Sequence, residues 1–431
     1  MLHRGRATDR SCDLVATETG DAMTTAAQER DIRMTGRFMI TALASGHAIF
    51  HWVMQSFVVL LPEIQAAFHL SAVGVGGLLT SRELASGIVR APGGLMADML
   101  RRHWGFLLAA CLLVGGLGSL VMGVSPIYPL VLVGIALVAI AHSIWHLPSS
   151  ASLSYHFPER RGLALAFHGV GGSVGDVAGP LATGALLTVL GWKGILSVYA
   201  VVPLFLAFLA AWSFKNIGSV KEPEGKSSGQ PSRAESIKRL LTNPVLWGIT
   251  VVRGFRAMCL VALVTILPLY LGNELGMSSF ARGFHIGLLI AIGLVAKPLT
   301  GHMSDKWGRK KVLVPGLLWS CVVALLLIQF PQGIGLMVAI VLLGLFLYPD
   351  QPILTAATLE IVGRDVSATA LGTTSTASFI MSAASPLIAG SIYQSYGLEP
   401  TLYFIAALFG AAAVILALLP LANRQPEFAG G

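Results

Sequence analysis

The sequence predicts an all-α integral membrane protein, with twelve transmembrane helices in two pseudo-symmetric six-helix bundles. Three observations support this prediction. The chain of 431 residues is 55% hydrophobic and only 12% charged, whereas a soluble chain is about 25% charged. Apolar stretches of about 20 residues, long enough to cross a bilayer as a helix, recur along almost the whole chain. A polar segment divides these stretches into six and six, and the two sets resemble each other in sequence.

The apolar stretches, which we number as spans 1 to 12, define the domain boundaries. They cover residues 38–64, 73–97, 105–124, 127–155, 163–188, 193–214, 246–272, 281–302, 312–330, 333–361, 367–394 and 399–421. Residues 38–214 therefore form the N-terminal bundle, and residues 246–421 form the C-terminal bundle. Residues 215–245 have the Ser, Gly, Pro, Lys and Glu content of a flexible linker. The tails, 1–37 and 422–431, are polar, and the first is expected to be disordered and lacks the features of a signal peptide.

Basic residues are concentrated in the loops on one side of the predicted membrane domain. Besides the linker, these loops hold Arg101, Arg102, Arg160, Arg161, Lys306, Arg309, Lys310, Lys311 and Arg364. The opposite loops hold only Lys193 and Arg282. By the positive-inside rule, both termini and the linker are cytoplasmic. This bias also explains the net charge of +8 without nucleic acid as a partner. We expect a monomeric, multi-pass protein of the bacterial inner membrane, in contact with the lipid bilayer.

The two halves repeat one another at an offset of about 205 residues. Residues 92–105 read PGGLMADMLRRHWG, and residues 298–311 read PLTGHMSDKWGRKK. A duplicated helical unit with a substrate site between the copies is a recurrent transporter design. The sequence therefore favours a secondary transporter.

The repeated segment resembles the cytoplasmic-loop motif of the major facilitator superfamily, and the resemblance covers about residues 38–421. The resemblance implies transport by alternating access, with the motif as a latch whose ion pairs differ between states. The residues of this predicted gating motif are Gly94, Asp98, Arg101 and Arg102 in the first copy, and Gly301, Asp305, Lys306, Gly308, Arg309 and Lys310 in the second.

Span 5 carries Gly171, Gly175 and Gly179 at every fourth position, followed by Pro180. Small residues at this spacing let two helices approach closely, and proline permits a bend. The run is similar to the Gly-Pro motif of the superfamily's antiporters, which implies efflux in exchange for protons. Together with the segment ERRGLALAFHGVGGSVGDVAGP, it resembles the fosmidomycin-resistance type of bacterial exporter.

Polar side chains within membrane spans are costly, so each is a hypothesis for a functional site. The resemblance implies that spans 1, 4, 7 and 10 line the central cavity, and the richest polar positions fall on these four. The expected substrate-binding residues are His47, His51, Gln55, His142, His146, Arg253, Arg256, Asp350 and Gln351. A guanidinium group suits carboxylate, phosphate or phosphonate, so the two arginines favour an anionic substrate. The alternative is that they pair with Asp350 or Glu83 for structure.

Carboxyl groups inside the spans are candidates for proton coupling, because they can bind and release a proton during the cycle. The candidates are Asp176, Glu83 and Asp350, with His168 as a relay member. Because Arg82 and Glu83 are adjacent on span 2, their side chains are expected to diverge.

The leading prediction is a proton-coupled secondary transporter that exports a small anionic or amphiphilic solute by antiport. An alternative is the transport of a metal ion or metal–ligand complex, bound by His47, His51, His142 and His146. A minor alternative is a membrane sensor that transports nothing, or a membrane enzyme. We expect no catalytic residues and no cofactor, because the sequence contains no nucleophile–base motif.

Overall fold

In the computed structural model of the chain, residues 35–215, 217–218, 242–362 and 367–421 are described. Nearly all of both predicted tails and most of the linker, together with Arg364, lie outside the described residues. The described part is helical and has no strand.

Each predicted span of the N-terminal half is a helix, and span 1 continues into a second, short helix. The helices are Gly36–Val59 and Leu61–Ala67 (span 1), Ala72–Met99 (span 2), Trp104–Gly123 (span 3), Tyr128–His156 (span 4), Arg161–Leu186 (span 5) and Trp192–Ser213 (span 6).

The C-terminal half repeats this order, and its span 10 is broken in two. The helices are Pro244–Leu269 (span 7), Ser279–Trp307 (span 8), Arg309–Gln329 (span 9), Gly333–Leu347 and Asp350–Val362 (span 10), Ser367–Tyr396 (span 11) and Leu398–Leu418 (span 12). The predicted fold class is confirmed.

By length and composition, nine described helical segments are able to cross a membrane, with span 10 taken as one segment, and the bent helix pair of span 1 is a tenth if it counts as one span. Spans 2 and 5 are not among them. Span 2 holds Arg82, Glu83 and Arg90 in its interior, and span 5 is rich in glycine. Both helices pack along other helices, span 2 against span 11 and span 5 against span 1. Their polar residues therefore face protein rather than lipid over much of their length.

Two spans are interrupted where a proline removes a backbone donor. Span 1 bends by 55° between its two helices, next to Pro62 at the start of the second. Span 10 stops at Leu347 and restarts at Asp350, immediately after Pro349. By length and composition, Gly333–Val362 is still one candidate membrane span, in agreement with the predicted span over 333–361.

Equivalent helices of the two halves make equivalent contacts, as expected for a duplicated unit. Span 1 packs on span 5 as span 7 packs on span 11, and span 3 packs on span 6 as span 9 packs on span 12. The two halves meet along spans 2 and 11 and along spans 5 and 8. Two apolar clusters fill the N-terminal half, one around Phe57 and one around Phe50.

The halves are joined at one end of the molecule. We call the end that carries Arg101, Arg102, Lys306, Arg309 and Lys310 the basic end, and the opposite end the far end. Five hydrogen bonds cross between the halves among the described residues: Thr80 to Ala383, Ser382 to Glu83, Arg282 to Val59, Arg282 to Glu63, and Asn273 to Gln65. They lie between the middle of the helices and the far end, so the described hydrogen bonds hold the halves together in that part of the molecule.

Candidate functional site

Four histidines of spans 1 and 4 form one cluster near the middle of the N-terminal half. His47 and His51 lie one turn apart on span 1, and His142 and His146 lie one turn apart on span 4. Each offers one ring nitrogen, and these nitrogens all lie within 4.8 Å of one another. The Nε2 atoms of His142 and His146 are 3.1 Å apart. The structure therefore brings together the four histidines that the two four-residue spacings singled out, and we call them the four-histidine cluster.

Two residues of span 5 make hydrogen bonds with the two histidines of span 1. His51 Nδ1 lies 2.8 Å from Asp176 Oδ1, and Gln55 donates to the same oxygen at 3.2 Å. His47 Nδ1 lies 2.8 Å from the backbone oxygen of His168, and the two rings stack with centroids 4.2 Å apart. Asp176 and His168, both predicted to take part in proton coupling, thus contact different residues of span 1, His51 and His47.

Close contact between spans 1 and 5 depends on glycine. A Cβ atom at Gly171 would meet the backbone oxygen of Ala44, and one at Gly179 would lie 2.8 Å from the backbone oxygen of Trp52. At Gly175 the added atom would lie 2.8 Å from the backbone nitrogen of Trp52. Backbone atoms cannot move aside as a flexible side chain can, so the three glycines set the distance between the helices. Pro180, at the end of this run, is buried.

Arg256 and Asp350 form a buried ion pair at the break in span 10. Arg256 Nε donates to Asp350 Oδ2 at 2.8 Å, and its Nη2 lies 2.7 Å from Oδ1. The same guanidinium donates to the backbone oxygen of Leu347, the last residue of the first helix. Arg256 therefore binds both sides of the break, which is the structural alternative that the sequence left open.

Arg253, one turn before Arg256, has no carboxylate partner among the described residues. It is half-buried, and its Nη1 lies 3.4 Å from the hydroxyls of Thr355 and Thr358 in the second helix of span 10. Gln351, also predicted as a substrate ligand, is exposed. Of the two predicted arginines, Arg253 is the one that remains able to bind an anion.

Glu83 pairs with the adjacent Arg82, contrary to the expectation that neighbouring side chains diverge. Arg82 donates to Glu83 Oε1 from Nη2 at 3.0 Å and from Nε at 3.2 Å. Both groups are buried, and neither forms a further ion pair among the described residues, so the long arginine side chain folds back onto Glu83. The second carboxylate oxygen accepts a hydrogen bond from Ser382 of span 11 at 2.9 Å. Glu83 thus lies at the interface between the two halves.

Arg90, which was not among the predicted site residues, lies where the two halves meet. Its guanidinium lies over the ring of Phe379 in the other half, 4.7 Å from the centroid, and its buried Nε has no hydrogen-bond partner. It is within electrostatic range of Arg253, His142 and His146. A signal was present in the repeat, since Arg90 and Lys297 each precede the first glycine of the gating motif by four residues.

The second copy of the gating motif forms a network at the basic end. Arg309 donates to Asp305 and, through Nε, to Glu360 Oε1 at 2.9 Å. These contacts connect the start of span 9 with spans 8 and 10. Lys310 donates to the backbone oxygen of Leu419 at 3.0 Å, just after span 12. The motif therefore links four helices of the C-terminal half.

In the first copy of the gating motif, Arg101 makes an aromatic contact. Arg101 lies over the ring of Tyr155, 4.3 Å from the centroid, and the side chain of Asp98 lies outside the described residues. Gly308 has φ of 96°, a conformation that glycine adopts far more readily than other residues. The other motif residues have space around them: Arg102 and Lys306 are exposed, and a Cβ atom added at Gly94 or Gly301 meets nothing within 4 Å.

Comparisons with known proteins agree on the kind of protein. Residues 43–297 and 283–430 match the family described as Major Facilitator Superfamily. The chain is 23% identical over 283 residues to the fosmidomycin resistance protein of Escherichia coli, covering 64% of this chain and 67% of that one. It is 22% identical over 420 residues to a probable hexose phosphate transport protein of Chlamydia muridarum, covering 89% and 90%. A solved D-xylose–proton symporter has a TM-score of 0.72 at 15% identity, covering 90% of this chain and 99% of that chain.

Proposed function

The chain belongs to the Major Facilitator Superfamily and is a multi-pass membrane transporter of small solutes, and from this premise we propose that it exports a small organic anion in exchange for protons. The observation that carries the proposal is Arg253, a half-buried guanidinium without a carboxylate partner among the described residues. A permanently charged group in a poorly solvated position needs an anion to offset its desolvation. The similarity to a probable hexose phosphate transport protein supports the same class of solute.

Arg90 supplies a second cation from the opposite half. Its Nε is buried without a hydrogen-bond partner, and its charge acts on Arg253. An anion between the two guanidinium groups relieves their repulsion and connects the two halves. Because a guanidinium fork matches two oxygens of one carboxylate or phosphate group, the site suits an anion with such a group. Arg256 lies outside this site, because Asp350 already neutralises it.

Alternating access needs contacts that one state has and the other lacks. The hydrogen bonds between the halves lie from the middle of the helices to the far end. We place the basic end in the cytoplasm of the bacterial cell, together with both termini, because basic loops face the cytoplasm. The described arrangement then corresponds to an inward-facing state, which receives its solute from the cytoplasm.

We assign proton coupling to Glu83. Its carboxylate accepts from Arg82 within span 2 and from Ser382 across the interface, so a proton on this group removes an ion pair where the halves move past each other. The run of Gly171, Gly175, Gly179 and Pro180 supports exchange, since it is similar to the motif of the superfamily's antiporters.

A thermal-shift assay of the purified protein tests the anion site. The probes are fosmidomycin and glucose 6-phosphate, with glucose as the neutral control. A ligand that binds only the folded state raises the apparent unfolding temperature. We expect the anions to stabilise the wild type but not Arg253→Gln, and the exposed Lys193→Gln to respond like the wild type. Equal responses of wild type and Arg253→Gln, or stabilisation by glucose alone, would contradict the anion site.

Proteoliposomes containing a fluorescent pH indicator test the coupling. When a stabilising anion is added outside, exchange predicts that protons leave and the lumen becomes more alkaline. Glu83→Gln should abolish the pH change and retain the thermal shift, because it leaves both arginines in place. Acidification of the lumen would show that proton and anion move together, which contradicts antiport. A pH change that survives Glu83→Gln would contradict the assignment of Glu83.

A further inference from the structure

The four-histidine cluster contains buried nitrogen atoms without hydrogen-bond partners, which the proposed anion site does not involve. The Nε2 atoms of His47 and His51 are buried and have no hydrogen-bond partner. Buried residues of one apolar cluster flank the histidines: Leu43 and Phe50 on span 1, and Ala141 and Trp145 on span 4. A buried polar atom without a partner costs free energy, and here two such atoms occur on one helix turn. They point to a ligand that accepts lone pairs from nitrogen.

The hydrogen bonds made by His47 and His51 determine which nitrogen of each ring carries the proton. The Nδ1 atoms of His47 and His51 face a backbone oxygen and a carboxylate oxygen. Both oxygens are acceptors, so each Nδ1 carries the hydrogen and each Nε2 presents a lone pair. A carbonyl or carboxylate that orients a neutral imidazole in this way is the usual outer shell of a metal-binding histidine.

The other two histidines complete a set of four nitrogens. The Nε2 atoms of His142 and His146 face each other and are 3.1 Å apart. One ring nitrogen from each of the four histidines lies within 4.8 Å of the other three. Tetrahedral zinc–imidazole bonds of about 2.0–2.1 Å place the nitrogens about 3.4 Å apart. Side-chain rotations that move each ring nitrogen by about an ångström would therefore bring all four nitrogens to bonding distance from one metal ion.

We propose that His47, His51, His142 and His146 bind one divalent transition-metal ion of the zinc class through their Nε2 atoms. Imidazole ligands suit Zn²⁺, Cu²⁺ and Ni²⁺ rather than Mg²⁺ or Ca²⁺. Asp176 offsets part of the ion's charge through His51. All four ligands lie in one half, so the site is intact whichever way the halves are tilted. The inference does not depend on the anion proposal.

Metal titration of the full-length protein tests the site. The protein is purified with an affinity tag that contains no histidine, stripped with a chelator and titrated with Zn²⁺ and, separately, Co²⁺. We expect one equivalent of either ion to bind, and bound Co²⁺ to show the visible absorption of a tetrahedral nitrogen site. No binding at micromolar metal, or the spectrum of an octahedral Co²⁺ ion, would overturn the proposal without any variant.

Single substitutions then locate the ion. His51→Ala and His146→Ala remove one ligand from each helix and should abolish stoichiometric binding. Asp176→Asn leaves the four ligands in place and should weaken binding by roughly 10–100-fold, the usual effect of an outer-shell change. The control is His285→Ala, on span 8, where Nδ1 lies 2.7 Å from the backbone oxygen of Ala281. Binding retained by His51→Ala and His146→Ala, or lost equally in the control, would place the metal elsewhere and refute the inference.

Discussion

A matched pair of glycine substitutions in span 5 tests whether the contact with span 1 is as close as described. Gly175→Ala adds a methyl group next to the backbone oxygen of Ala48 and 2.9 Å from His51 Cβ. Gly169→Ala adds the same group on the same helix, where nothing lies within 4 Å. Both changes have the same effect on helix propensity, so the difference between them reports the contact alone.

The two variants are expected to shift stability in opposite directions. Alanine in place of glycine inside a helix gains about 1 kcal/mol, so Gly169→Ala should be slightly more stable than the wild type. Overpacking costs about 1–3 kcal/mol and more where backbone must move, so Gly175→Ala should be less stable despite the same gain. Because the gain in helix propensity is the same in both variants, the difference between them is the overpacking cost, about 1–3 kcal/mol.

The assay is thermal unfolding in detergent, followed by the intrinsic fluorescence of the eight tryptophans. At roughly 2 °C per kcal/mol, Gly175→Ala should unfold about 2–6 °C below Gly169→Ala. If unfolding is irreversible, the half-life at a fixed temperature gives the same order. Equal unfolding temperatures for the two variants would refute the close contact between spans 1 and 5.

Two further changes separate buried from exposed ion pairs. Arg256→Gln should lower the free energy of unfolding by about 3–5 kcal/mol, because it leaves Asp350 buried without its cation. In chemical denaturation, the double variant with Asp350→Asn should recover part of this loss. A double variant less stable than the single variant would contradict the ion pair. Arg309→Gln should change the free energy of unfolding by less than about 1 kcal/mol, because partly exposed pairs contribute little. It should nevertheless change the initial transport rate in proteoliposomes, as should Glu360→Gln, since both break the network at the basic end. The control is the exposed Lys311→Gln, and rates equal to the control would argue against a gating role.

The sequence was most informative where the signal is local. Hydropathy located most of the spans because a bilayer requires about 20 consecutive apolar residues, whereas spans 2 and 5 carry this signal less clearly. The four-residue spacing of His47 and His51, and of His142 and His146, placed each pair on one helix face. Their meeting across spans 1 and 4 followed only from the resemblance to a known fold, since spacing within a helix says nothing about its neighbour.

The sequence was least informative where an assignment depends on a distant partner. Arg253 and Arg256 are three residues apart and look equivalent, yet only Arg256 reaches the break in span 10 and Asp350. The break itself occurs inside an apolar stretch, with Pro349 as its one local signal. Arg90 was missed because its importance is the lack of a carboxylate partner, which no sequence pattern states.

The glycine contact between spans 1 and 5 also restricts how the transporter can change its specificity over evolutionary time. Substitutions at Gly171 or Gly175 would have to be accompanied by simultaneous changes in span 1, so single mutations on this face are removed by selection before they alter the solute. Arg253, by contrast, donates hydrogen bonds to two threonine hydroxyls among the described residues, and its surroundings can vary one residue at a time. Laboratory selection for a new solute should therefore recover changes in spans 7 and 10 and leave the glycines of span 5 unchanged.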